Sequence, residues 1–534
     1  MVRRCLTWKG VATVLAAIAV AVVYRSFLET GHDWGDDFSL YINQARSLVR
    51  GDVPQVIADT RYALQNSGTD SFSPYVYPWG LPLLLAPVYL VAGIDYSAFS
   101  WITAGSLVLF LWGFRRLIAK SVGTLPATAL TVVIALSVSY VRATGAILSD
   151  LPAIAATVAA LLWVEHCRAA GHFARSTRTP LVVAGLLVTW AFSIRRETVV
   201  LLVAMLVVHV VALRGRDDGD ATPSRPVRRR LVDVAAPYWT FALAAGVFHV
   251  VLPASLEQQV SDDGGFGQVR GNLEWYRDVF AEQIGLKELG PNEIEWFGSG
   301  GVGRVLVSSI AVLAVCGVGV AFARRRGPEL MIAVHVPALA WMILSQPFRD
   351  GRYIFGLTPF VLYFAWLGAT QMVAPVRAAS GTIRGIGRVA ALVPWLVVVP
   401  LVAANADGFQ HAWKYHREYD YVVNGPETNE SREMFEAVRR CTRGDEVVLF
   451  ARARAMNLYT NRRSIQTGDV NIGLVRADWM MLTNDDVDYF EPKVNEENYR
   501  GYGLAKVWTN SEFTLYRVGS PPAGRVEACP VIDQ

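Results

Sequence analysis

Three carboxylates, Asp33, Asp36 and Asp37, stand within five residues of one another in the segment GHDWGDDFSLYINQARSLVRGDVP (31–54). Attack of a hydroxyl on an electrophilic carbon needs a base within hydrogen-bond reach, and a carboxylate supplies one. A plausible helix, Ser39–Arg50, follows at once. Acidic residues at a helix start are also ordinary caps, so a solvated cap stands beside the catalytic reading, more so for Asp33 than for Asp37. A leaving group that gains negative charge requires a cation, and a guanidinium matches phosphate oxygens bidentately. Arg352 is the leading residue for that task, with an interfacial snorkelling arginine as its alternative. Asp150, beside Pro152, is either a membrane-edge functional carboxylate or a helix cap. Arg195 and Arg196 either contact a phosphate or pair with Glu197.

The elements that must position these residues are membrane helices. The chain has 534 residues, 53% hydrophobic and only 18% charged, with mean hydropathy +0.30, which is too apolar for a soluble enzyme of this length. A bilayer core of roughly 30 Å needs about 20 helical residues. Apolar runs lie at about 10–28, 98–114, 122–140, 151–165, 180–194, 197–212, 236–253, 302–322, 328–345, 354–372 and 389–406, which predicts about eleven membrane helices. The run Pro78–Gly93, with three prolines, reads as a re-entrant or interfacial segment. The basic clusters then fall on one side: Arg3/Arg4/Lys9, Arg115/Arg116/Lys120, Arg168/Arg175/Arg178, Arg228–Arg230, Arg324–Arg326 and Arg377/Arg384/Arg388. By the positive-inside rule that side is the cytoplasm. The expectation is a multi-pass plasma (inner) membrane protein with a cytoplasmic N-terminus. Its loops at about 29–78, 142–150, 254–301 and 346–352 would be exported, the first being the main candidate loop. The membrane module is expected over 1–406. The tail, 407–534, is expected to be a small extracytoplasmic α/β domain, with a helix Thr428–Arg440, a strand Glu446–Phe450 and a hairpin about Asn510-Ser511.

Several motifs in order resemble one family. D-D-x-x-x-Y-x-x-x-A-x-x-L-x-x-G (Asp36, Asp37, Tyr41, Ala45, Leu48, Gly51) resembles the first-loop motif of GT-C glycosyltransferases, nearest the branch of protein O-mannosyltransferases and lipid A aminoarabinose transferase. YPWGLPLLLAPVYLVAG (Tyr77–Gly93), SDLPAIAAT (Ser149–Thr157), RRET (Arg195–Thr198) and RYIFGLTPF (Arg352–Phe360) resemble that branch's later blocks. The resemblance covers nearly the whole chain, and the order of the motifs gives it specificity. It implies Asp37, Asp36 and Asp150 as catalytic carboxylates, Arg352, Arg195, Arg196 and Tyr353 as donor-phosphate ligands, and Tyr41 and Tyr77 as substrate contacts. The aminoarabinose branch carries a phosphate-contacting Lys in the segment opening at Tyr77–Pro78. This chain has none there, so phosphate binding falls to arginines and the sugar cannot be carried over.

The expected function is inverting transfer of a sugar from a polyprenyl-phosphate carrier to an extracytoplasmic acceptor, which is a protein, a lipid or an envelope polysaccharide. The expected partners are that donor and membrane lipid, with no nucleic acid and no cofactor. A divalent metal on Asp36/Asp37 is known among oligosaccharyltransferase relatives, whereas the mannosyltransferase branch suggests metal-free catalysis, and none is assigned. A transporter or flippase of lipid-linked glycans is the alternative, but it would show paired repeats and charges near the bilayer midplane, and no repeat is evident. A non-catalytic envelope-assembly protein is the third reading. Gly298–Gly303 matches GxGxxG with no preceding strand, which argues against dinucleotide binding. Cys441 and Cys529, the two cysteines of the tail, form a disulfide candidate in an exported domain.

Overall fold

In the computed structural model the described residues are 18–27, 30–68, 75–214, 227–255, 266–286, 301–325, 327–375, 392–418, 422–484, 491–519 and Cys529. Arg3/Arg4/Lys9, Arg377/Arg384/Arg388, residues 298–300 of the GxGxxG match and half of the 254–301 loop lie outside them.

Six described helices are long and apolar enough to cross a bilayer: Tyr96–Val122, Asp150–Ala169, Arg196–Arg214, Val234–Val251, Val305–Arg324 and Gly327–Leu344. The chain is an integral membrane protein. Side chains such as Val250 (81% exposed) and Val315 (72% exposed) would form a costly apolar surface in water, and lipid is their natural solvent. Gly80–Ala92, Thr124–Ala135 and Arg178–Ile194 are shorter apolar helices among them. Gly80–Ala92 has 13 residues and Thr124–Ala135 has 12, about 20 Å of helical rise or less against a core of roughly 30 Å, so neither reaches across by its helix alone. The apolar run at 122–140 is one helix in expectation and two in the structure, Thr124–Ala135 and Val138–Ala143. The break falls at Ser137, whose backbone is extended and whose hydroxyl donates to the Gln283 carbonyl (2.7 Å). The run at 354–372 likewise begins as a 3₁₀ turn, Gly351–Gly356, before the helix Thr358–Met372, which carries a proline in its first turn.

Close backbone approach sets two of the helix contacts. A Cβ on Gly317 would overlap the backbone of Phe364, and one on Gly368 that of Leu313, so small residues let Gly301–Arg324 and Thr358–Met372 touch. A Cβ on Gly80 would lie 2.7 Å from the Ile194 amide nitrogen. That contact brings the segment opening at Tyr77 against the helix end that leads into Arg195.

The helix Trp395–Glu418 runs unbroken through residue 407, where the tail was expected to begin. Beyond it a five-stranded mixed sheet forms in the order β2-β1-β3-β5-β4, with β1 Val447–Leu449, β2 Arg463–Ile465, β3 Trp479–Thr483, β4 Leu504–Thr509 and β5 Phe513–Val518. β1 pairs in parallel with β2 and β3, while β5 pairs antiparallel with β3 and β4. The β4–β5 hairpin turns at Asn510, whose side-chain oxygen accepts from the amides of Glu512 (3.0 Å) and Phe513 (2.8 Å). On one face lies the helix Asn429–Cys441, capped by the Thr428 hydroxyl accepting from the Ser431 amide. Its Met434, Phe435 and Val438 pack with Val448, Met481 and Leu515.

A disulfide joins Cys441, the last residue of this helix, to Cys529, with Cα atoms 5.2 Å apart and 88 residues between them in sequence. Closing so long a loop removes about 4–5 kcal/mol of unfolded-chain entropy on the chain-entropy model. Cys529→Ala should therefore lower the thermal midpoint of the C-terminal unit. Peptide mapping of the denatured, unreduced protein should recover the bridged pair, and alkylation of both thiols without reductant would count against it.

Candidate active site

The site begins at the helix Asp36–Arg50. Asp36 and Asp37 occupy its first turn, where unpaired backbone N–H groups favour carboxylates. The helix stops at Gly51, whose φ of 75° suits the left-handed cap and whose amide donates to Ser47 O (2.8 Å). Its apolar face, Phe38, Tyr41, Ile42 and Ala45, packs on Leu81 and Leu85 of Gly80–Ala92. Gln44 clamps the Tyr77 backbone, accepting from its amide (3.2 Å) and donating to its carbonyl (3.0 Å). Tyr41 stacks on the Tyr77 ring with centroids 4.6 Å apart and donates its hydroxyl to Ser149 Oγ (3.0 Å). Held on both sides, Tyr77 donates its own hydroxyl to Asp37 Oδ1 at 2.5 Å. In the preceding loop, His32 Nε2 accepts from the Ile147 amide (3.1 Å) and Nδ1 lies 2.9 Å from the Asp33 carbonyl. That pairing requires the neutral tautomer with its proton on Nδ1, and burial lowers the His32 pKa accordingly. The ring fastens the first loop to the loop that carries Asp150.

Opposite Asp37 stands Arg352. Asp350 accepts from the Arg352 amide (2.9 Å) and pairs with its guanidinium (2.6 Å), an Asx-type cap that fixes the arginine at the start of its 3₁₀ turn. Arg352 Nη2 lies 3.4 Å from Asp37 Oδ2, and Nη1 lies 3.7 Å from Asp150 Oδ2. Asp150, 5% exposed, opens the helix Asp150–Ala169 and is also paired with Arg195, which pairs in turn with Glu197. The Arg195 guanidinium lies over the Tyr353 ring, 5.4 Å from its centroid. Burial opposes the charge on Arg352, but Asp150, Asp350 and Asp37 outweigh it and hold the guanidinium firmly protonated. Burial would raise the Asp350 carboxyl, and its bonds to Arg352 bring it below the ordinary carboxylate range.

Asp150, Arg195, Glu197, Arg352 and Tyr353 line a cavity of about 510 Å³ whose other walls include Phe110, Ile154, Leu339 and Phe360. Two cations, two carboxylates and an apolar recess line it, and an anionic headgroup carrying an apolar chain could exchange for a carboxylate on the arginines.

The structure brings Asp37, Asp150, Arg195, Arg352, Tyr353, Tyr41 and Tyr77 together. Arg196 goes elsewhere: it borders a separate cavity of about 300 Å³ with Trp79, Phe192 and His249. Arg195 is extended and Arg196 begins a 3₁₀ turn, so neighbouring side chains leave the backbone on different sides. Asp33 is exposed, as a solvated cap would be. Asp36 faces the C-terminal unit, with Oδ1 buried and without a hydrogen-bond partner. Two residues escaped the sequence reading. Asp350 was legible, since Asp-x-Arg is an Asx-turn spacing. Arg454 was not: it lies 377 residues from Tyr77, yet donates to the Tyr77 hydroxyl at 3.2 Å and approaches Asp37 Oδ1 to 3.6 Å. Among the described residues no group of three or more His, Cys, Asp or Glu side chains is arranged to hold a metal ion.

No protein-family model and no curated protein matches the chain. Solved structures do. ArnT from Cupriavidus metallidurans in the apo state superposes with a TM-score of 0.52 at 12% identity, covering 96% of this chain and 100% of that one. The same protein bound to undecaprenyl phosphate gives 0.50 at 13%, covering 96% and 99%. The apo oligosaccharyltransferase of Archaeoglobus fulgidus gives 0.50 at 10%, covering 96% of this chain and 76% of that one. The chain has the fold of the GT-C glycosyltransferases.

Burial raises the Asp36 carboxyl from 3.8 to about 6 against the opposing pull of Arg454 and Arg452. The folded chain thus holds this proton more tightly than the unfolded one. The stability it contributes is fully present below the unfolded value and is lost as pH rises through about 6. The thermal midpoint should fall across that window, and Asp36→Asn should flatten the fall. A wild-type-like pH dependence in Asp36→Asn would show that Asp36 does not titrate this way.

Proposed function

We propose that the chain is an inverting glycosyltransferase that moves a sugar from a polyprenyl-phosphate carrier to an acceptor hydroxyl on the extracytoplasmic side of the membrane. The observation that carries the reading is Arg352 standing between Asp37 and Asp150, with Arg195 beside it, at a cavity with an apolar side formed by Phe110, Ile154, Leu339 and Phe360. The ArnT neighbour that holds undecaprenyl phosphate supports the donor class. The clustering of arginines in the opposite loops supports the orientation, in a module of roughly eleven crossings.

In this reading Asp37 is the base. It takes the proton of the acceptor hydroxyl as the oxygen bonds to the anomeric carbon, and the bond from that carbon to the phosphate oxygen breaks with its electron pair going to the phosphate. Arg352 and Arg195 meet the charge that develops there, while Asp150 and Asp350 hold them in place. The free site has the Arg352–Asp37 pair at 3.4 Å. An arriving phosphate competes for the guanidinium, releasing Asp37 toward the acceptor. One displacement inverts the anomeric centre without a covalent enzyme intermediate. The isoprenoid tail stays in lipid or the apolar recess, because drawing it into water is unfavourable. Sugar and acceptor remain open as classes: protein, lipid or envelope polysaccharide.

The test is transfer from radiolabelled polyprenyl-phosphate sugars by the purified protein in detergent. Asp37→Asn should lower kcat by roughly 10²- to 10⁴-fold, and Arg352→Lys, which loses the planar fork, should weaken both donor binding and turnover. Normal transfer by Asp37→Asn would remove Asp37 from the role of base. Failure to use any such donor, with the fold intact, would sink the reading.

A further inference from the structure

The C-terminal unit reaches the site through one short helix, Ala453–Thr460, between β1 and β2. Arg46 donates to the Leu458 carbonyl (2.8 Å), Asn43 donates to the Asn457 side-chain oxygen (2.6 Å), and the hydroxyls of Tyr96 and Tyr459 are hydrogen-bonded. The first two contacts dock the helix on Asp36–Arg50 and the third ties it to the start of Tyr96–Val122, all without Arg454. From this platform Arg454, 7% exposed, donates to the Tyr77 hydroxyl at 3.2 Å, lies over that ring at 5.3 Å, and brings Nη1 to 3.6 Å from Asp37 Oδ1. Arg352 faces the other carboxylate oxygen, Oδ2. Asp37 is therefore gripped by two guanidinium groups, one from each part of the chain.

We propose that Arg454 is a positioning residue for the reaction: it aims the Tyr77 hydroxyl at Asp37 Oδ1 and supplies the cation that keeps Asp37 ionised when Arg352 turns to the donor phosphate. The inference rests on the transfer reading above and makes the C-terminal unit part of the active site. Arg352 cannot hold Asp37 and the donor phosphodiester equally, and the phosphate gains a second negative charge as the sugar leaves, so the reaction weakens the hold of Arg352 on the carboxylate. Without a second cation the half-buried carboxylate would gain affinity for a proton and cease to act as a base. Arg454 bears on the carboxylate oxygen away from Arg352. The titratable and charged groups facing Asp37 are Asp36 and Tyr41 on its own helix, His32 before it, Tyr77, Arg352, Tyr353 and Arg454. Of these, Arg352 and Arg454 carry positive charge, given the neutral His32.

The full-length protein in detergent is compared as wild type, Arg454→Met and Arg454→Lys. In Arg454→Met, kcat should fall roughly 10- to 100-fold with the donor KM within about twofold, and the acid limb of the kcat–pH profile should move to higher pH. Arg454→Lys, which restores the charge, should recover much of the rate and return the limb. A second measurement needs no turnover. Carbodiimide labelling of Asp37 as a function of pH, read by peptide mass spectrometry, should shift its midpoint up by roughly one unit in Arg454→Met and back in Arg454→Lys. An unmoved labelling midpoint with unmoved kcat overturns the inference. So does a loss of rate that Arg454→Lys does not relieve with no shift in either pH profile, because that marks a docking residue only. If the wild type transfers no sugar from any carrier, the transfer reading fails, and the labelling titration still decides whether Arg454 controls Asp37.

Discussion

Charge burial beside the apolar helices is the constraint on which the rest of this structure depends. Arg352 sits 3.4 Å from Asp37 and 3.7 Å from Asp150, each contributed by a different part of the chain. A buried carboxylate left alone beside a bilayer would take up a proton or pull the local structure apart. Each of these groups is tolerable only while the others are in place. The first-loop helix, the start of Asp150–Ala169, the end of Arg178–Ile194 and the 3₁₀ turn Gly351–Gly356 are therefore held in one mutual arrangement. Pairs of this kind contribute little net stability, since desolvation offsets most of the attraction. What they supply instead is a fixed geometry.

Lipid explains the other half of the architecture. Between helices already surrounded by apolar solvent the hydrophobic effect gives little drive to associate, so contact depends on shape. Gly317 and Gly368 let two helices meet at backbone distance, and Gly80 does the same beneath the site. The C-terminal unit obeys the rules of water instead: a sheet with two buried faces, a capped amphipathic helix and a disulfide. The two parts meet along Asp36–Arg50, the helix that carries Asp37, and along Val53–Asn66, where Asp59 pairs with Arg463.

Much of this was open to reading in the sequence, and the reason is local. Apolar runs announce membrane helices because no backbone can cross lipid unpaired. Asp36 and Asp37 ahead of an amphipathic stretch mark a helix start, Gly51 marks its end, and Thr428 and Asn510 mark a cap and a turn, since in each case a side chain answers a need of the backbone a few residues away. Where the reading ran on through Ser137 or placed a boundary at 407 inside a helix, the true limit depended on a distant partner or on a helix that continued past its apolar portion.

What only tertiary structure decided is which of these residues face one another. Two adjacent arginines of equal promise part company at a change of backbone conformation, Arg195 toward Asp150 and Arg196 toward Trp79 and His249. Arg454, in a sequence neighbourhood with no motif, arrives beside Tyr77 and Asp37 from 377 residues away from Tyr77. Periodicity, capping and turn chemistry act over a few residues and leave a record in composition and spacing. A contact across hundreds of residues costs only the closing of a loop, which grows slowly with length and prescribes no residue type, so it leaves no such record.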